Sequence, residues 1–161
     1  MELWDLYTSD RKLTGLTHIR GQEIPAGYCH LVVHVWLRNR RGEYLISQRA
    51  ANRPTFPLFW ECVGGSVLQG EDSLTAALRE TREEVGVELD PQKGRVVFTR
   101  TRPSDIMDVW LFDYDGPVEL AQATTDEVAQ AHWMTRVQVM ELYEQGKLVD
   151  TLEYFFTEVD R

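Results

Sequence analysis

Residues 65–87 read GSVLQGEDSLTAALRETREEVGV, and the middle of this stretch predicts an amphipathic helix over about 72–85. Five residues at helical spacing form one predominantly apolar face, namely Leu74, Ala77, Leu78, Thr81 and Val85. Asp72 or Ser73 can cap the start of the helix, and Gly86 stands where a left-handed C-terminal cap is usual. The stretch therefore predicts a loop, a helix packed against a core, and a second loop.

Three glutamates of this helix, Glu80, Glu83 and Glu84, lie at positions i, i+3 and i+4 and share one face away from the apolar face. Carboxylates this close repel one another, and each i,i+4 pair costs about 0.2–0.5 kcal/mol on an isolated helix. Hard divalent cations such as Mg²⁺ relieve the repulsion, because they bind carboxylate oxygens and keep several waters. For the glutamates alone, a solvated helix with ion pairs such as Arg79–Glu83 is the alternative interpretation.

The spacing of the whole stretch favours the first interpretation. Gly65, five residues, Glu71, seven residues and the run RETREEVGV at 79–87 match the Nudix box, Gx5Ex7REUxEExGU, in which U is aliphatic. Seven fixed positions at set spacing argue strongly against a chance match. Only Thr81 departs from the pattern, and because it lies on the apolar face we expect it to affect packing rather than metal binding. The sequence therefore resembles a Nudix hydrolase.

The resemblance implies an enzyme that uses Mg²⁺ or Mn²⁺ to hydrolyse a pyrophosphate bond in a nucleoside diphosphate linked to another moiety, or in a related small diphosphate. It implies that Glu80, Glu83 and Glu84 supply carboxylates to the metal and that the backbone carbonyl of Gly64 is a further ligand. The chemistry suits these residue types, since a bound metal screens phosphate charge and positions a water for in-line attack.

The resemblance also implies roles for the remaining positions of the box. Arg79 and Glu71 are the structural pair that orients the catalytic glutamates, and Gly65 and Gly86 shape the loops before and after the helix. A carboxylate must also take the proton from the attacking water.

Two residues are candidates for this general base. Glu80 is the first. Glu127 is the second, because its loop precedes a strand predicted at 131–134 and could reach the site; a solvated loop carboxylate is an equally good interpretation of Glu127.

Other polar and aromatic residues give weaker signals. Arg49 and Arg53 could contact substrate phosphates, since arginine offers bidentate geometry to phosphate, although loop arginines are common in this arginine-rich chain. Trp36 and Trp60 could stack on a ring, but tryptophans in strands usually belong to the core. His34 is interpreted as a strand histidine whose hydrogen bonds are satisfied, rather than as a ligand.

Further segments resemble the subgroup that includes isopentenyl-diphosphate isomerase, which makes an isomerase the competing enzyme class; they are 30–37, 47–50, 56–60 and 126–133. That class needs a cysteine followed two residues later by a metal-binding histidine, where this chain has Gly64 and Ser66. Cys62 is offset by two positions and is interpreted as a buried thiol. His30 matches one isomerase metal histidine, but the paired glutamates of that class are not found around Asp105–Asp108. We therefore prefer a hydrolase, and the complete glutamate set argues against a non-catalytic binding module.

The rest of the chain predicts one α/β domain over 1–161, a Nudix-like α/β/α sandwich with a mixed sheet and an N-terminal β-hairpin at about 3–19. The pattern predicts strands at 3–7, 12–19, 30–37, 44–48, 95–100, 109–114 and 131–134. Strands 30–37 and 44–48 are predicted to form a hairpin, and helical stretches are predicted at 137–145 and 151–159.

Composition limits the partners. The formal net charge of −9 argues against binding to a nucleic-acid polymer or an anionic membrane and leaves a small diphosphate substrate bridged by a cation. Two cysteines are too few for a disulfide framework, and neither a signal peptide nor a membrane span is predicted, so we expect a cytoplasmic protein. The sequence does not specify the oligomeric state; the N-terminal hairpin is a candidate edge for a homodimer.

Overall fold

The computed structural model of the protein describes residues 1–161. In chain order its elements are β1 (Leu3–Thr8), β2 (Leu13–Ile19), β3 (Tyr28–Arg38), β4 (Tyr44–Arg49), β5 (Trp60–Glu61), β6 (Val63–Ser66), α1 (Ser73–Val85), β7 (Gly94–Thr101), β8 (Asp105–Asp113), β9 (Val128–Met134) and α2 (Arg136–Glu144). Short helical turns lie at Pro91–Lys93, Leu120–Gln122, Asp150–Leu152 and Phe155–Val159. No helix is long and apolar enough to span a lipid bilayer.

The sheet is mixed and is centred on β3. Strand β8 lies parallel to β3 along one edge, from the pair His30–Asp105 to the pair Arg38–Asp113. Strands β1, β6 and β4 share the other edge, and all three are antiparallel to β3. This arrangement confirms the predicted α/β class with a mixed sheet.

The prediction that strands 30–37 and 44–48 form a hairpin is wrong over most of their length. Strands β3 and β4 pair only at Arg38–Tyr44, beside the turn that joins them. Because β8 and β6 occupy the two edges of β3, β4 diverges from it and pairs along its length with β9. Strand β4 also pairs with β5, and the loop between β4 and β5 is thereby held beside β9.

The alternation along β3 separates two apolar cores. One face packs with α1, and its buried members include Leu31, Val33, Val35, Leu37, Ala76, Ala77 and Val85. The other face packs with α2 and the C-terminal segment, and its buried members include Trp36, Val139, Leu152, Tyr154 and Phe155. The two helices therefore lie on opposite faces of the sheet, which is the predicted α/β/α layering.

The helix predicted at 151–159 is not a regular helix. The segment forms two short turns, the second of which is a π-type turn. The neighbouring residues Tyr154 and Phe155 are both buried, and their rings both pack against Trp36. In a regular α-helix, adjacent side chains point about 100° apart. The irregular backbone of this segment instead directs both rings to the same partner, Trp36.

Helix α1 begins and ends as the sequence predicts. The Asp72 side chain accepts a hydrogen bond from the Thr75 amide at 2.8 Å, and Gly86 follows the helix with a φ of 70°. A Cβ at Gly86 would meet the backbone of the neighbouring loop 2.8 Å away, so this position requires glycine both for its conformation and for space. Thr81 is fully buried, and its hydroxyl donates to the Ala77 carbonyl at 2.8 Å, so its departure from the box is a packing feature as expected.

The predicted N-terminal hairpin is present as β1 and β2 and joins the sheet beside β3. At its tip, Arg11 donates to both carboxylate oxygens of Asp108, at 2.8 and 2.6 Å. Near its base, the Trp4 ring stacks on His30 with centroids 4.0 Å apart and planes 5° apart. The hairpin is therefore fixed to the rest of the protein at both ends.

Candidate active site

The acidic face of α1 forms one wall of a small cleft of about 140 Å³. Side chains and backbone from four other parts of the chain complete it, and no apolar residue lines it; the lining residues are Glu2, Arg20, Arg53, Gly64, Gly65, Ser66, Arg79, Glu80, Glu83 and Glu127. The structure thus brings together most of the site residues singled out in the sequence, including Glu127. Larger concavities, of about 410 to 470 Å³, surround the β3–β4 turn and the C-terminus and contain none of these glutamates.

Arg79 organises the acids of this cleft. Its Nε and Nη2 donate to the two carboxylate oxygens of Glu71 at 2.8 and 3.0 Å. Its Nη1 donates to Glu80 at 2.9 Å and to Glu83 at 3.1 Å, and Nη2 also donates to the Ser66 carbonyl at 3.1 Å. A guanidinium has five N–H donors, so Arg79 is fully committed to the protein.

Glu84 lies beneath the cleft and is 8% exposed. One of its oxygens accepts a hydrogen bond from the Gly64 amide at 3.1 Å. Burial raises the pKa of Glu84 well above its ordinary value, and repulsion from Glu80 adds to the effect. Burial likewise raises the pKa of Glu80 to about 7, despite the attraction of Arg79. These two carboxylates are thus the least solvated acids of the helix.

Glycines of β6 allow the glutamates to lie close to the strand. A Cβ added at Gly65 would overlap the Glu80 carboxylate, and one at Gly64 would approach the Val33 carbonyl oxygen to 3.0 Å. Any other residue at position 65 would displace Glu80. In the arrangement described, no three acidic, histidine or cysteine side chains converge on a single point, because the Arg79 guanidinium lies between Glu80 and Glu83.

The two candidate phosphate-binding arginines differ in their surroundings. Arg53 lines the cleft and pairs with Glu127 at 3.0 Å. Arg49 does not line the cleft; it donates to Glu61 at 2.8 Å and to both the carbonyl and the hydroxyl of Thr55. The geometry therefore leaves Arg53, and not Arg49, in a position to meet a ligand in the cleft.

Three residues of this region were not singled out in the sequence. Glu61 is held by Arg49, and burial raises its pKa although Arg49 opposes the effect. The sequence feature that could have identified Glu61 is its position as an acidic residue between Trp60 and Cys62 in an otherwise apolar segment. Glu2 and Arg20 reach the cleft from the N-terminal hairpin, and no local pattern in the sequence indicates this long-range contact.

The structure confirms Trp36 and Cys62 as core residues, whereas Trp60 is only partly buried at the edge of the core. Trp36 is fully buried, and Cys62 is a buried free thiol. The Tyr154 hydroxyl accepts a hydrogen bond from the Trp36 indole at 3.0 Å and lies 2.7 Å from His34 Nδ1. Burial lowers the pKa of His34 to about 4, so this histidine is neutral and satisfied. Trp60 is half-buried and packs on the His132 ring at 5.9 Å.

Known proteins show the same domain. The family model of the NUDIX domain matches residues 29–155. An uncharacterized Nudix hydrolase of Listeria monocytogenes is 37% identical over 159 residues, which cover 97% of this chain and 91% of the relative. An isopentenyl-diphosphate Delta-isomerase of Shigella flexneri is 30% identical over 118 residues, covering 69% of this chain and 64% of the relative.

A crystal structure of a Deinococcus radiodurans protein superposes with a TM-score of 0.75 at 25% identity and covers 92% of each chain. The matched range includes nearly all of β3, the box and the loops that carry Arg53 and Glu127, and so contains most of the cleft. Together with the box residues assembled around Arg79, these matches show that the chain belongs to the Nudix hydrolase family.

Proposed function

We propose that the protein hydrolyses a pyrophosphate bond in a nucleoside diphosphate linked to another moiety, or in a related small diphosphate, with Mg²⁺ or Mn²⁺ as cofactor. The observation that carries the proposal is the Arg79 guanidinium, which holds Glu80 and Glu83 on the wall of a wholly polar cleft. Such a cleft suits phosphate groups, since it presents charged groups and offers no apolar lining to a lipid.

The donors of the cleft fit a hard divalent cation. Glu80, Glu83, Glu84 and the Gly64 carbonyl would hold it, because Mg²⁺ and Mn²⁺ prefer carboxylate and carbonyl oxygens. Two observations support the fit: Glu84 is almost fully buried yet accepts a single hydrogen bond, and the absence of a side chain at Gly65 makes room for Glu80. A bound cation would screen the phosphate charge and lower the pKa of a water.

Two carboxylates of the cleft are our candidates for the group that takes the proton of the attacking water. Glu80 lies on α1 between Arg79 and Gly65, and Glu127 lies on the loop before β9, where Arg53 holds its carboxylate. Glu80→Gln and Glu127→Gln distinguish them, because the amide keeps the shape and removes the base. The variant that loses turnover while still binding both substrate and Mg²⁺ identifies the base, and unchanged turnover in both variants would refute the assignment.

The function is tested by chromatographic detection of the phosphate monoester products formed from a panel of nucleoside diphosphate derivatives and small diphosphates with Mg²⁺ or Mn²⁺. We expect hydrolysis of at least one compound, its loss in EDTA, and its loss in Glu83→Gln and Glu84→Gln. Glu144→Gln, a substitution on α2 outside the cleft, is the matched control and should retain activity. A silent panel combined with tight binding of one compound would instead indicate a binding module.

Because one relative is an isopentenyl-diphosphate isomerase, isomerase activity is the alternative function to be tested. Isomerisation of isopentenyl diphosphate would require a reactive cysteine, but Cys62 is buried, does not line the cleft, and burial raises the pKa of its thiol well above the ordinary value. Thiolates, not thiols, are reactive at neutral pH. We therefore expect no isomerisation, and turnover of isopentenyl diphosphate to its allylic isomer would overturn the proposed hydrolase chemistry.

A further inference from the structure

The N-terminal hairpin contributes two charged residues to the cleft, Glu2 and Arg20. Both lie outside residues 29–155, which the family model matches. Their side chains form an ion pair at 3.0 Å, and the Arg20 amide donates to the Glu2 carbonyl at 3.0 Å. The open end of the hairpin is therefore part of the cleft wall.

The hairpin is attached to the same loop that leads into α1. The Gln69 amide donates to the Leu3 carbonyl at 2.9 Å, and the Gly70 amide donates to the Asp5 carboxylate at 2.8 Å. The Gln69 side chain donates to the Thr17 hydroxyl at 3.0 Å. Because β1 and β2 both hold this loop, the backbone that carries Arg20 keeps a fixed position relative to the glutamates of the box.

The guanidiniums of the cleft differ in how many donors the protein uses. Three arginines line the cleft, and Arg79 uses every N–H on protein acceptors. Arg20 contacts one carboxylate, that of Glu2, and Arg53 contacts one carboxylate, that of Glu127. Each of these two guanidiniums therefore keeps several donors for a ligand. Their side chains remain 59% and 25% exposed, respectively.

We propose that Arg20 and Arg53 together bind the phosphate oxygens of the substrate in this cleft. The N-terminal hairpin is then a substrate-binding element, and the preferred substrates carry a diphosphate whose oxygens can engage both guanidiniums. Phosphate replaces Glu2 and Glu127 as the partner of each arginine, and charge-assisted bonds to phosphate are among the strongest that a side chain makes. This inference rests on the proposed function, whose site it completes.

The test compares Arg20→Gln with the wild type by steady-state kinetics on the diphosphate substrate identified above. Loss of a charge-assisted contact worth about 1.5–3 kcal/mol corresponds to a rise in KM of about tenfold or more, with a smaller change in kcat. Arg95→Gln is the matched control, because Arg95 has a side-chain exposure of 52%, lies outside the cleft and gives the same change in net charge. Its KM should stay within about twofold of the wild type.

A second measurement does not depend on turnover. Calorimetric titration of the full chain with a methylene-bridged nucleoside diphosphate and Mg²⁺ should show about tenfold weaker binding in Arg20→Gln than in Arg95→Gln. Arg20→Lys keeps the charge but loses the planar fork and should fall between the two. Glu2→Gln releases Arg20 from its carboxylate and should tighten binding.

The two proposals fail in different ways. If the panel is hydrolysed but Arg20→Gln matches Arg95→Gln in KM and in affinity, the role of Arg20 is refuted while the hydrolase stands. If no compound is hydrolysed but binding of the bridged analogue still depends on Arg20, the hydrolase fails while the arginine site stands. Thermal unfolding of each variant shows whether a change in affinity reflects loss of fold.

Discussion

Replacing Arg11 at the tip of the N-terminal hairpin tests how firmly the hairpin is held. Arg11 forms a bidentate ion pair with Asp108, whose side chain is only 4% exposed. Removing one partner of a buried pair costs about 3–5 kcal/mol, since it leaves an uncompensated buried charge. Arg11 itself is 41% exposed and Asp108 keeps a bond from Thr99 at 3.0 Å, so we expect the lower end of the range for Arg11→Met.

A loss of about 3 kcal/mol corresponds to a fall in Tm of about 6–12 °C for a chain of this length. Urea unfolding at pH 7 gives the free energy directly. Arg11 has a φ of 66°, and because neither arginine nor methionine is glycine, the backbone strain is similar in both proteins. Arg95→Met is the control, since the exposed Arg95–Asp113 pair at 3.8 Å should contribute less than about 1 kcal/mol.

The contribution of the Arg11–Asp108 pair to stability should depend on pH, and the direction of the change follows from the pKa of Asp108. Burial alone would raise the pKa of Asp108, but hydrogen bonds led by that from Arg11 lower it below the ordinary value of 3.8. The pair therefore contributes fully above about pH 4 and is lost as the pH falls through the folded pKa. In Arg11→Met the burial is opposed only by the remaining hydrogen bonds, such as that from Thr99, so the pKa of Asp108 rises and the variant gains relative stability on acidification. The difference between the two proteins should be largest near pH 7 and shrink as the pH falls through about 4 and below.

Two results would refute this reasoning. One is a loss below about 0.5 kcal/mol in Arg11→Met, which would mean that the pair behaves as a surface pair. The other is a difference from the wild type that does not change with pH. Adding Asp108→Asn to Arg11→Met removes the buried charge, and it should restore part of the stability if the unpaired carboxylate is the cause.

Three further substitutions separate stability from activity. Glu84→Gln should abolish hydrolysis yet raise the Tm of the protein in EDTA at pH 8. The substitution removes a buried ionisable group, and the glutamine side-chain oxygen can still accept the Gly64 N–H. A lower Tm would contradict the burial argument. Gly65→Ala should reduce kcat/KM by more than about 100-fold, since the new methyl group overlaps the Glu80 carboxylate and the proposed metal site tolerates little displacement of a ligand. Near-normal activity would show that the close contact between Gly65 and Glu80 is unimportant. Arg49→Gln should lower the Tm by several degrees through the half-buried Glu61 that it leaves unpaired. A higher KM at unchanged Tm would indicate instead that Arg49 contacts the substrate.

The sequence predicts those features that depend on local spacing. The ends of α1 follow from Asp72 and Gly86, and the sharing of one helix face by Glu80, Glu83 and Glu84 follows from helical periodicity. The strand at β3 and its division of the two cores follow from alternation of its side chains. Each of these is decided within a window of about one element, where propensity and pattern agree.

The sequence does not predict features that depend on which elements meet. The partner of β4 is β9 rather than β3, because β8 and β6 compete successfully for the edges of β3, and no local pattern encodes that competition. Arg49 and Arg53 look equivalent along the chain, but one is tied to Glu61 and the other lines the cleft. The contact of Arg20 with the cleft depends on a hairpin folding back onto the loop before α1.

The charges of the cleft are compatible with the proposed binding of a diphosphate by this acidic protein. Four carboxylates and three guanidiniums line the cleft, so it carries one negative charge in excess when all are ionised, and Glu84 lies beneath it. Arg79 neutralises part of the acid cluster and so allows α1 to fold with its glutamates close together. When Glu84 is counted with the lining, the excess is two negative charges, and a divalent cation held by those glutamates would neutralise it. Substrate affinity should therefore depend on the cation first and on Arg20 and Arg53 second, because these two arginines can attract phosphate only after the neighbouring carboxylates are compensated.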